Sequence, residues 1–277
     1  MQTISVNGTQ LAIFEQGAGP IVLFIHGFPF DHTMYDQAAE ALSDSFRCLL
    51  PDLRGFGKSE YSATSVDLET GTPLISMADF AADLASLLAG LQITEKIALC
   101  GLSMGGYIAL EFAKRFPDQL SHLILADTKA TPDAPEARQK RLDLAASMGK
   151  TDLSGVADAM VPILLSQRSR RERPEIGNFV RAMIMGQSPR AIAAASRGMA
   201  VRSDMTEVLR QTRVPVLCLC GEEDKPSPPD VVKAMSEIPE CSRFEVLPDC
   251  GHMVPLEEPG AFAELLRNFL HETTSHS

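Results

Sequence analysis

Short, mostly apolar runs alternate with longer amphipathic stretches along most of the chain. The run from Pro20 to Ile25 contains no polar side chain, which is typical of a strand covered on both faces of a sheet. Further mostly apolar runs lie at 46–50, 96–100, 121–127, 214–220 and 244–247. Stretches with apolar residues at helical spacing lie at 34–42, 74–88, 107–116 and 259–270. This alternation of strand and helix predicts an α/β fold with a parallel sheet.

The first strands depart from this parallel pattern. Thr3 to Val6 and the stretch 8–15 are strand-like, and the pair Asn7-Gly8 stands between them. Asn-Gly favours the tight turns whose twist matches that of two antiparallel strands. We therefore expect the fold to begin with an antiparallel hairpin.

The strand rhythm stops after Asp127. From Thr128 to Arg213 the sequence is rich in Ala, Met and Arg and reads as helices, and Val214 restores the strand pattern. Helix-like pieces lie at 136–148, 156–165, 176–185 and 189–197. We predict a core made of residues 1–127 and 214–277, with residues 128–213 inserted as a helical cap.

Ser103 lies between a predicted strand and a predicted helix, within Gly-Leu-Ser-Met-Gly-Gly at 101–106. A turn from strand to helix in so few residues brings backbones together, and flanking glycines remove the side chains that would collide. The serine hydroxyl is then exposed at the tip of the turn, beside the free N–H groups of a helix N-terminus. The pattern predicts a nucleophile elbow, with Ser103 as the nucleophile.

A serine nucleophile needs a base and an acid that orients that base. Asp224 and His252 each follow a predicted strand, and the chain order serine, acid, histidine fits the elbow motif. We predict the catalytic triad Ser103, Asp224 and His252. The adjacent Glu222 and Glu223 stay open as alternatives for the acid.

An oxyanion formed during acyl transfer needs preorganised N–H donors. The backbone N–H of Met104, directly after the nucleophile, is one candidate donor. Phe28 offers the second, because it follows His26-Gly27 at the end of another strand and Pro29 has no N–H. The predicted oxyanion hole is therefore formed by the backbones of Phe28 and Met104.

Composition excludes several other classes of protein. The chain has 277 residues, 45% hydrophobic and 22% charged, and a net charge of −11, which disfavours nucleic acid as a partner. No apolar stretch is long enough to span a membrane, and no signal sequence is visible, so we predict a cytoplasmic protein with no membrane partner. The six cysteines show no zinc-type spacing; we predict free thiols, no metal and no cofactor. The oligomeric state is left open.

With these residues assigned, the chain resembles the α/β-hydrolase family, in its serine hydrolase branch, over nearly its whole length. The resemblance implies an eight-stranded, mostly parallel sheet with helices on both faces and a helical lid inserted after the sixth strand. Asp31-His32 and the Ser-Met-Gly-Gly of the elbow are most similar to 3-oxoadipate enol-lactonases, related esterases and cofactor-free haloperoxidases. The segments that carry the resemblance, in family order, are 26–29, 52–59, 101–106, 221–224 and 251–252.

The function that follows is hydrolysis of a small carboxylic ester or lactone through an acyl-enzyme. Two alternatives use the same residues. One is hydrolysis of a carbon–carbon bond in a ring-cleavage product, with a cap arginine (Arg181, Arg190, Arg197 or Arg202) pairing with a substrate carboxylate. The other is a signalling protein that senses a ligand with negligible turnover. The partner in each case is a small molecule.

Overall fold

The computed structural model describes residues 1–63, 65–67, 70–149 and 152–274. Eight strands form one sheet, and their bounds lie within a few residues of the apolar runs. They are β1 (Gln2–Val6), β2 (Thr9–Gln16), β3 (Ile21–Ile25), β4 (Arg47–Pro51), β5 (Ile97–Leu102), β6 (Leu120–Ala126), β7 (Val216–Gly221) and β8 (Ser242–Leu247). A separate two-residue ribbon pairs Ser65–Val66 with Pro73–Leu74.

The strand order across the sheet is β1-β2-β4-β3-β5-β6-β7-β8. Strand β2 is antiparallel to both of its neighbours, and every other pair is parallel. At the β1–β2 turn, Asn7 and Gly8 both have positive φ, 39° and 77°, as the Asn-Gly signal requires. The predicted mostly parallel sheet and the antiparallel hairpin are both confirmed.

Besides two short 3-10 helices, His32–Tyr35 and Pro117–Gln119, twelve α-helices are found within the described ranges. They are α1 (Asp36–Leu42), α2 (Met77–Gly90), α3 (Met104–Arg115), α4 (Pro135–Ser147), α5 (Leu153–Leu164), α6 (Gln167–Glu172), α7 (Pro174–Met185), α8 (Pro189–Ala200), α9 (Thr206–Gln211), α10 (Pro229–Ser236), α11 (Val254–Glu257) and α12 (Pro259–Thr274). Helix α1 packs against α12, and α2 packs against α3. Every residue of β3, β5 and β7 is buried, which shows that both faces of the central sheet are covered.

Helices α4 to α9 occupy the chain between β6 and β7, where the helical cap is predicted. Two of them, α6 and α9, are not predicted from the sequence. Both are six residues long and mostly polar, so they carry no apolar periodicity that could reveal them. The exact division into residues 1–127, 128–213 and 214–277 stays a prediction. No helix in the described part of the chain is long and apolar enough to cross a membrane.

Candidate active site

The predicted site residues all follow the carboxyl ends of parallel strands. Cross-strand pairing keeps these ends level, because Leu102 pairs with Ala126 and Ala126 pairs with Leu219. Gly221 at the end of β7 pairs with Leu247 at the end of β8. The loops that carry Phe28, Ser103, Asp224 and His252 therefore all leave the sheet at the end where its parallel strands finish.

Ser103 stands alone between β5 and α3 with φ +54° and ψ −112°. A residue with a side chain rarely adopts a positive φ, so the turn is held by its surroundings. Its N–H donates to Ala126 O at 2.9 Å, and the hydroxyl of Thr128 donates to Ser103 O at 2.8 Å. The Ser103 side chain makes no capping bond to the helix behind it and is half-buried, which leaves its hydroxyl available for chemistry.

The glycines of the elbow are required by close backbone contacts. A Cβ atom on Gly101 would overlap the carbonyl oxygen of Gly105, and one on Gly105 would overlap the carbonyl oxygen of Ile25. Ile25 is the last residue of β3, so the first turn of α3 lies directly against the neighbouring strand. This contact explains why the elbow sequence needs glycine on both sides of Ser103.

Asp224 and His252 form a buried pair. The ring nitrogen Nδ1 of His252 lies 2.9 Å from both carboxylate oxygens of Asp224, and each residue is only 3% exposed. The N–H of Ser227 donates to Asp224 Oδ1 at 3.0 Å and helps to orient the carboxylate. Because a carboxylate accepts hydrogen bonds, Nδ1 carries the ring proton and Nε2 is left as the basic nitrogen.

The two alternative acids point to other partners. Glu222 accepts a hydrogen bond from the N–H of Asp249 at 3.3 Å, and Glu223 accepts one from the N–H of Gln167 at 2.9 Å. Glu222 therefore binds the backbone of a loop, and Glu223 binds the backbone of the first residue of α6. Among the three carboxylates, the described structure pairs Asp224 with the histidine.

The loop after β3 contains Phe28 and is shaped by a neutral histidine. His26 Nδ1 lies 2.9 Å from Gly27 O, and His26 Nε2 accepts the N–H of Leu53 at 3.0 Å. Burial lowers the pKa of His26, so the ring is uncharged at neutral pH and acts as a spacer between two loops. Within the described ranges, no hydrogen bond takes up the backbone N–H of Phe28 or Met104. Both remain candidates for oxyanion donors.

A cluster of residue types that can bind metals lies in the loops after β3 and β4 and consists of Asp31, His32 and Asp52. Its oxygens are already bonded: Asp52 Oδ1 to the N–H and Nδ1 of His32 at 2.8 and 2.7 Å, and Asp52 Oδ2 to the N–H of Lys58 at 2.7 Å. From the cap, Gln187 donates to Asp31 Oδ2 at 3.1 Å and accepts the N–H of Gly57 at 2.9 Å. These bonds indicate a structural joint between cap and core, and the predicted absence of a metal is unchanged.

Sequence reasoning missed the residue that joins the cap to the histidine loop. Glu257 is fully buried; its Oε1 accepts the N–H of Gly251 at 2.8 Å and its Oε2 accepts the N–H of Ser166 at 3.0 Å. The N–H of His252 also donates to Leu164 O, at the end of α5, at 2.7 Å. Glu257 stands beside Glu258 and Pro259, a context that looks like an exposed turn, so the sequence contains no signal of its burial.

We expect Glu257→Gln to loosen this joint. A glutamine offers only one acceptor oxygen, so its NH2 group would face one of the two N–H donors, and a buried donor without a partner costs about 1–3 kcal/mol. The free energy of unfolding, measured with urea, should fall by that amount. Glu258→Gln is the matched control, because Glu258 is partly exposed and pairs with Arg168 and Arg173; it should lose less than about 1 kcal/mol. Equal losses of unfolding free energy in the two variants would show that the buried bonds of Glu257 do not stabilise the joint between the cap and the histidine loop.

Of the four cap arginines predicted as partners for a substrate carboxylate, three bond to other groups of the protein. Arg181 pairs with Asp158, Arg197 donates to Pro73 O at 3.0 Å, and Arg202 pairs with Asp133 at 3.2 Å. Arg202 also lies over the ring of Tyr107, 4.0 Å from its centroid. Arg190 lines a cavity of about 450 Å³ together with Arg197, Tyr61 and Met148.

Comparison with known proteins agrees with this geometry. A family model described as the alpha/beta hydrolase fold matches residues 20–259. The chain belongs to this family. Its structure superposes on that of a thermophilic esterase from Thermogutta terrifontis, malate bound, with a TM-score of 0.92 and 38% identity over 98% of each chain.

Two further relatives are lactonases. The α/β hydrolase described here is 25% identical to 3-oxoadipate enol-lactonase 1 of Acinetobacter baylyi, over 97% of this chain and 92% of the relative. The enol-lactonase from Burkholderia xenovorans LB400 shares the fold with a TM-score of 0.87 and 24% identity, over 98% of this chain and all of that one. The predicted family is confirmed, and the chain is an enzyme that acts on ester bonds.

Proposed function

We propose that this α/β hydrolase cleaves small carboxylic esters or lactones through an acyl-enzyme formed on Ser103. The observation that carries the proposal is the buried bond from His252 Nδ1 to Asp224, at the sheet edge where Ser103 occupies a strained elbow. A histidine oriented in this way presents Nε2 as a base, which is what a serine nucleophile requires.

The reaction follows from these groups. Ser103 Oγ attacks the substrate carbonyl carbon and its proton passes to His252 Nε2, while Asp224 stabilises the imidazolium. The backbone N–H groups of Phe28 and Met104 bind the oxyanion of the tetrahedral intermediate. Collapse breaks the C–O bond and returns the proton to the leaving alcohol, leaving an acyl ester on Ser103. Water then attacks that ester by the same steps and releases the carboxylic acid.

A lactone follows the same course with one difference. Its leaving alkoxide is tethered to the acyl group, so the first step opens the ring and leaves the whole product attached to Ser103 through its acyl carbon, with a free hydroxyl at the other end, until water releases the hydroxy acid. The relatives named as an esterase and as enol-lactonases support these two substrate classes. The active-site residues need no cofactor for either.

The test is a panel of small activated esters, lactones, thioesters and vinylogous diketones, assayed with the wild-type enzyme under identical conditions. We expect multiple turnovers on esters or lactones, and a fluorophosphonate should add one mass increment to the peptide that contains Ser103. Faster cleavage of the diketones would favour carbon–carbon hydrolysis instead. A single turnover per protein molecule would favour the ligand-sensing alternative.

A further inference from the structure

Asp127 lies next to the proposed triad but has no part in the reaction as written. It directly follows β6, is fully buried and has φ +48°. Its N–H donates to Leu219 O at 2.9 Å, which continues the pairing of β6 with β7. Positive φ is uncommon for a residue other than glycine, but aspartate adopts it more readily than most, so the evidence for a role lies in the bonds of its side chain.

The two oxygens of Asp127 have different surroundings. Oδ1 accepts the N–H of Gly221 at 3.0 Å, whereas Oδ2 is buried and has no hydrogen-bond donor among the described residues. The Asp127 carboxyl nevertheless lies beside Asp224. One carboxylate oxygen of Asp127, one of Asp224 and a ring nitrogen of His252 lie within 4.8 Å of one another. Two ionised carboxylates are both acceptors and cannot bond to each other, but one proton between them makes a hydrogen bond.

The charges around the pair decide which carboxyl carries that proton. Asp224 already accepts hydrogen bonds from two donors, His252 Nδ1 and the N–H of Ser227. Among the described residues Asp127 has one donor, the N–H of Gly221, and its Oδ2 has none. Burial, and then the neighbouring charge of Asp224, raise the pKa of Asp127 well above its usual value.

The other groups that face Asp127 do not offset this. Glu257, from α11, adds a further negative charge. Burial raises the pKa of the nearby thiols and phenol, so they stay neutral at pH 7; they are Tyr35, Cys100, Cys220 and Cys250. Within the described ranges, no lysine or arginine side chain bonds to Asp127.

We propose that Asp127 is a positioning residue that keeps a proton on Oδ2 and donates it to the Asp224 carboxylate. The site then contains a chain of three groups, Asp127 to Asp224 to His252, with the negative charge centred on Asp224. The added donor fixes the rotation of that carboxylate toward the histidine and withdraws charge from it. The proton on Asp127 is a property of the folded protein, and only its effect on turnover rests on the proposed function.

The first test detects the proton on Asp127 in the folded protein and needs no assay of activity. Unfolded Asp127 ionises near pH 4, whereas the folded group stays protonated above that pH, so its contribution to stability is lost as the pH rises. The non-titrating Asp127→Asn has no such term. The ratio of the unfolding constants, wild type over Asp127→Asn, should therefore rise about tenfold per pH unit from about pH 5 until the folded group itself ionises.

The control for this measurement is Asp230→Asn, which removes an exposed carboxyl at the start of α10. The ratio of the unfolding constants, wild type over Asp230→Asn, should not change with pH over the same range. A flat ratio for Asp127→Asn as well would show that Asp127 ionises in the folded protein, and would overturn the proposal.

The second test reads the effect on His252. Asparagine can accept from Gly221 with its oxygen and donate to Asp224 with its NH2 group, so Asp127→Asn should leave the acidic limb of the kcat/KM profile in place. Asp127→Ala removes the donor, leaves more charge on Asp224, and should move that limb to higher pH with about a tenfold loss at pH 6. The proposal is contradicted if the acidic limb of the kcat/KM profile moves to lower pH in Asp127→Asn. It is also contradicted if that limb does not move in Asp127→Ala.

The two proposals can fail separately. The titration of the His252 ring can be followed by NMR in a Ser103→Ala background, which needs no turnover. Its midpoint should move to higher pH with Asp127→Ala and stay in place with Asp127→Asn. If these shifts and the stability ratio behave as expected but no ester or lactone is hydrolysed, the proposed function fails and the proton on Asp127 stands. If hydrolysis depends on Ser103 while neither measurement responds, the inference about Asp127 fails alone.

Discussion

Replacement of Ser103 by alanine is expected to lower kcat/KM for the best ester of the panel by about 10⁴-fold or more. The alanine keeps the elbow backbone but removes the oxygen on which the proposed acyl-enzyme forms, so the His252–Asp224 pair would have no nucleophile to activate. Residual activity would come from substrate binding and the oxyanion hole alone. Steady-state rates with the wild type and the variant, at equal protein concentration, give the ratio.

Two controls separate lost chemistry from lost structure. Circular dichroism and the urea midpoint of Ser103→Ala should match the wild type, because the hydroxyl makes no capping bond to α3. Ser43→Ala removes a hydroxyl that bonds to Glu40 O at the end of α1 and should keep full activity. Undiminished hydrolysis by Ser103→Ala would refute the assignment of the nucleophile.

Replacement of Arg54 by methionine is expected to lower the free energy of unfolding by about 3–5 kcal/mol, the largest effect on stability that we predict. Arg54 Nε and Nη2 bond to the two oxygens of Asp83 at 2.6 and 2.5 Å, and both side chains are 1% exposed. The variant leaves Asp83 as a buried charge, and within the described ranges its one remaining side-chain donor is Asn7 Nδ2 at 3.0 Å. Urea denaturation at pH 7 measures the loss.

Arg47→Met is the matched control for Arg54→Met. Arg47 makes the same two-bond contact with Glu15, with both distances 3.0 Å, but its side chain is 29% exposed and that of Glu15 is 34% exposed. Water solvates either charge when its partner is removed, so the loss should stay below about 1 kcal/mol. Similar losses in the two variants would show that burial does not set the strength of the Arg54–Asp83 pair.

The elbow illustrates what a sequence reveals readily. Gly101 is needed because it meets Gly105, four residues later, in a tight turn, and a local pattern can report such a contact. Gly105 is needed because it meets Ile25 of β3, which is distant in the chain, but it belongs to the same short motif. The strands are similarly readable, since β3, β5 and β7 are buried on both faces and need uninterrupted apolar residues. Predicted strand and helix bounds accordingly lie within a few residues of the observed ones.

The contacts of Glu257 and Asp127 that support the site could not be predicted from the sequence in the same way. Glu257 bonds to Ser166, 91 residues earlier in the chain, and Asp127 bonds to Gly221, 94 residues later. In the sequence each is one acidic residue at the end of an element, a position where most such residues are exposed. Their burial depends on how the cap, the histidine loop and the sheet come together.

Spacing along the chain and residue type were sufficient to predict the eight strands of the sheet, most of the helices, the elbow at Ser103 and the candidate acid and base. The choice among the three neighbouring carboxylates became visible only in the folded protein, where Asp224 bonds to His252 and Glu222 and Glu223 bond elsewhere. Only the tertiary structure placed Asp127 beside that pair. The physical reason is that burial and hydrogen-bond partnership are set between residues far apart in the chain, and these set the charge of a carboxyl group.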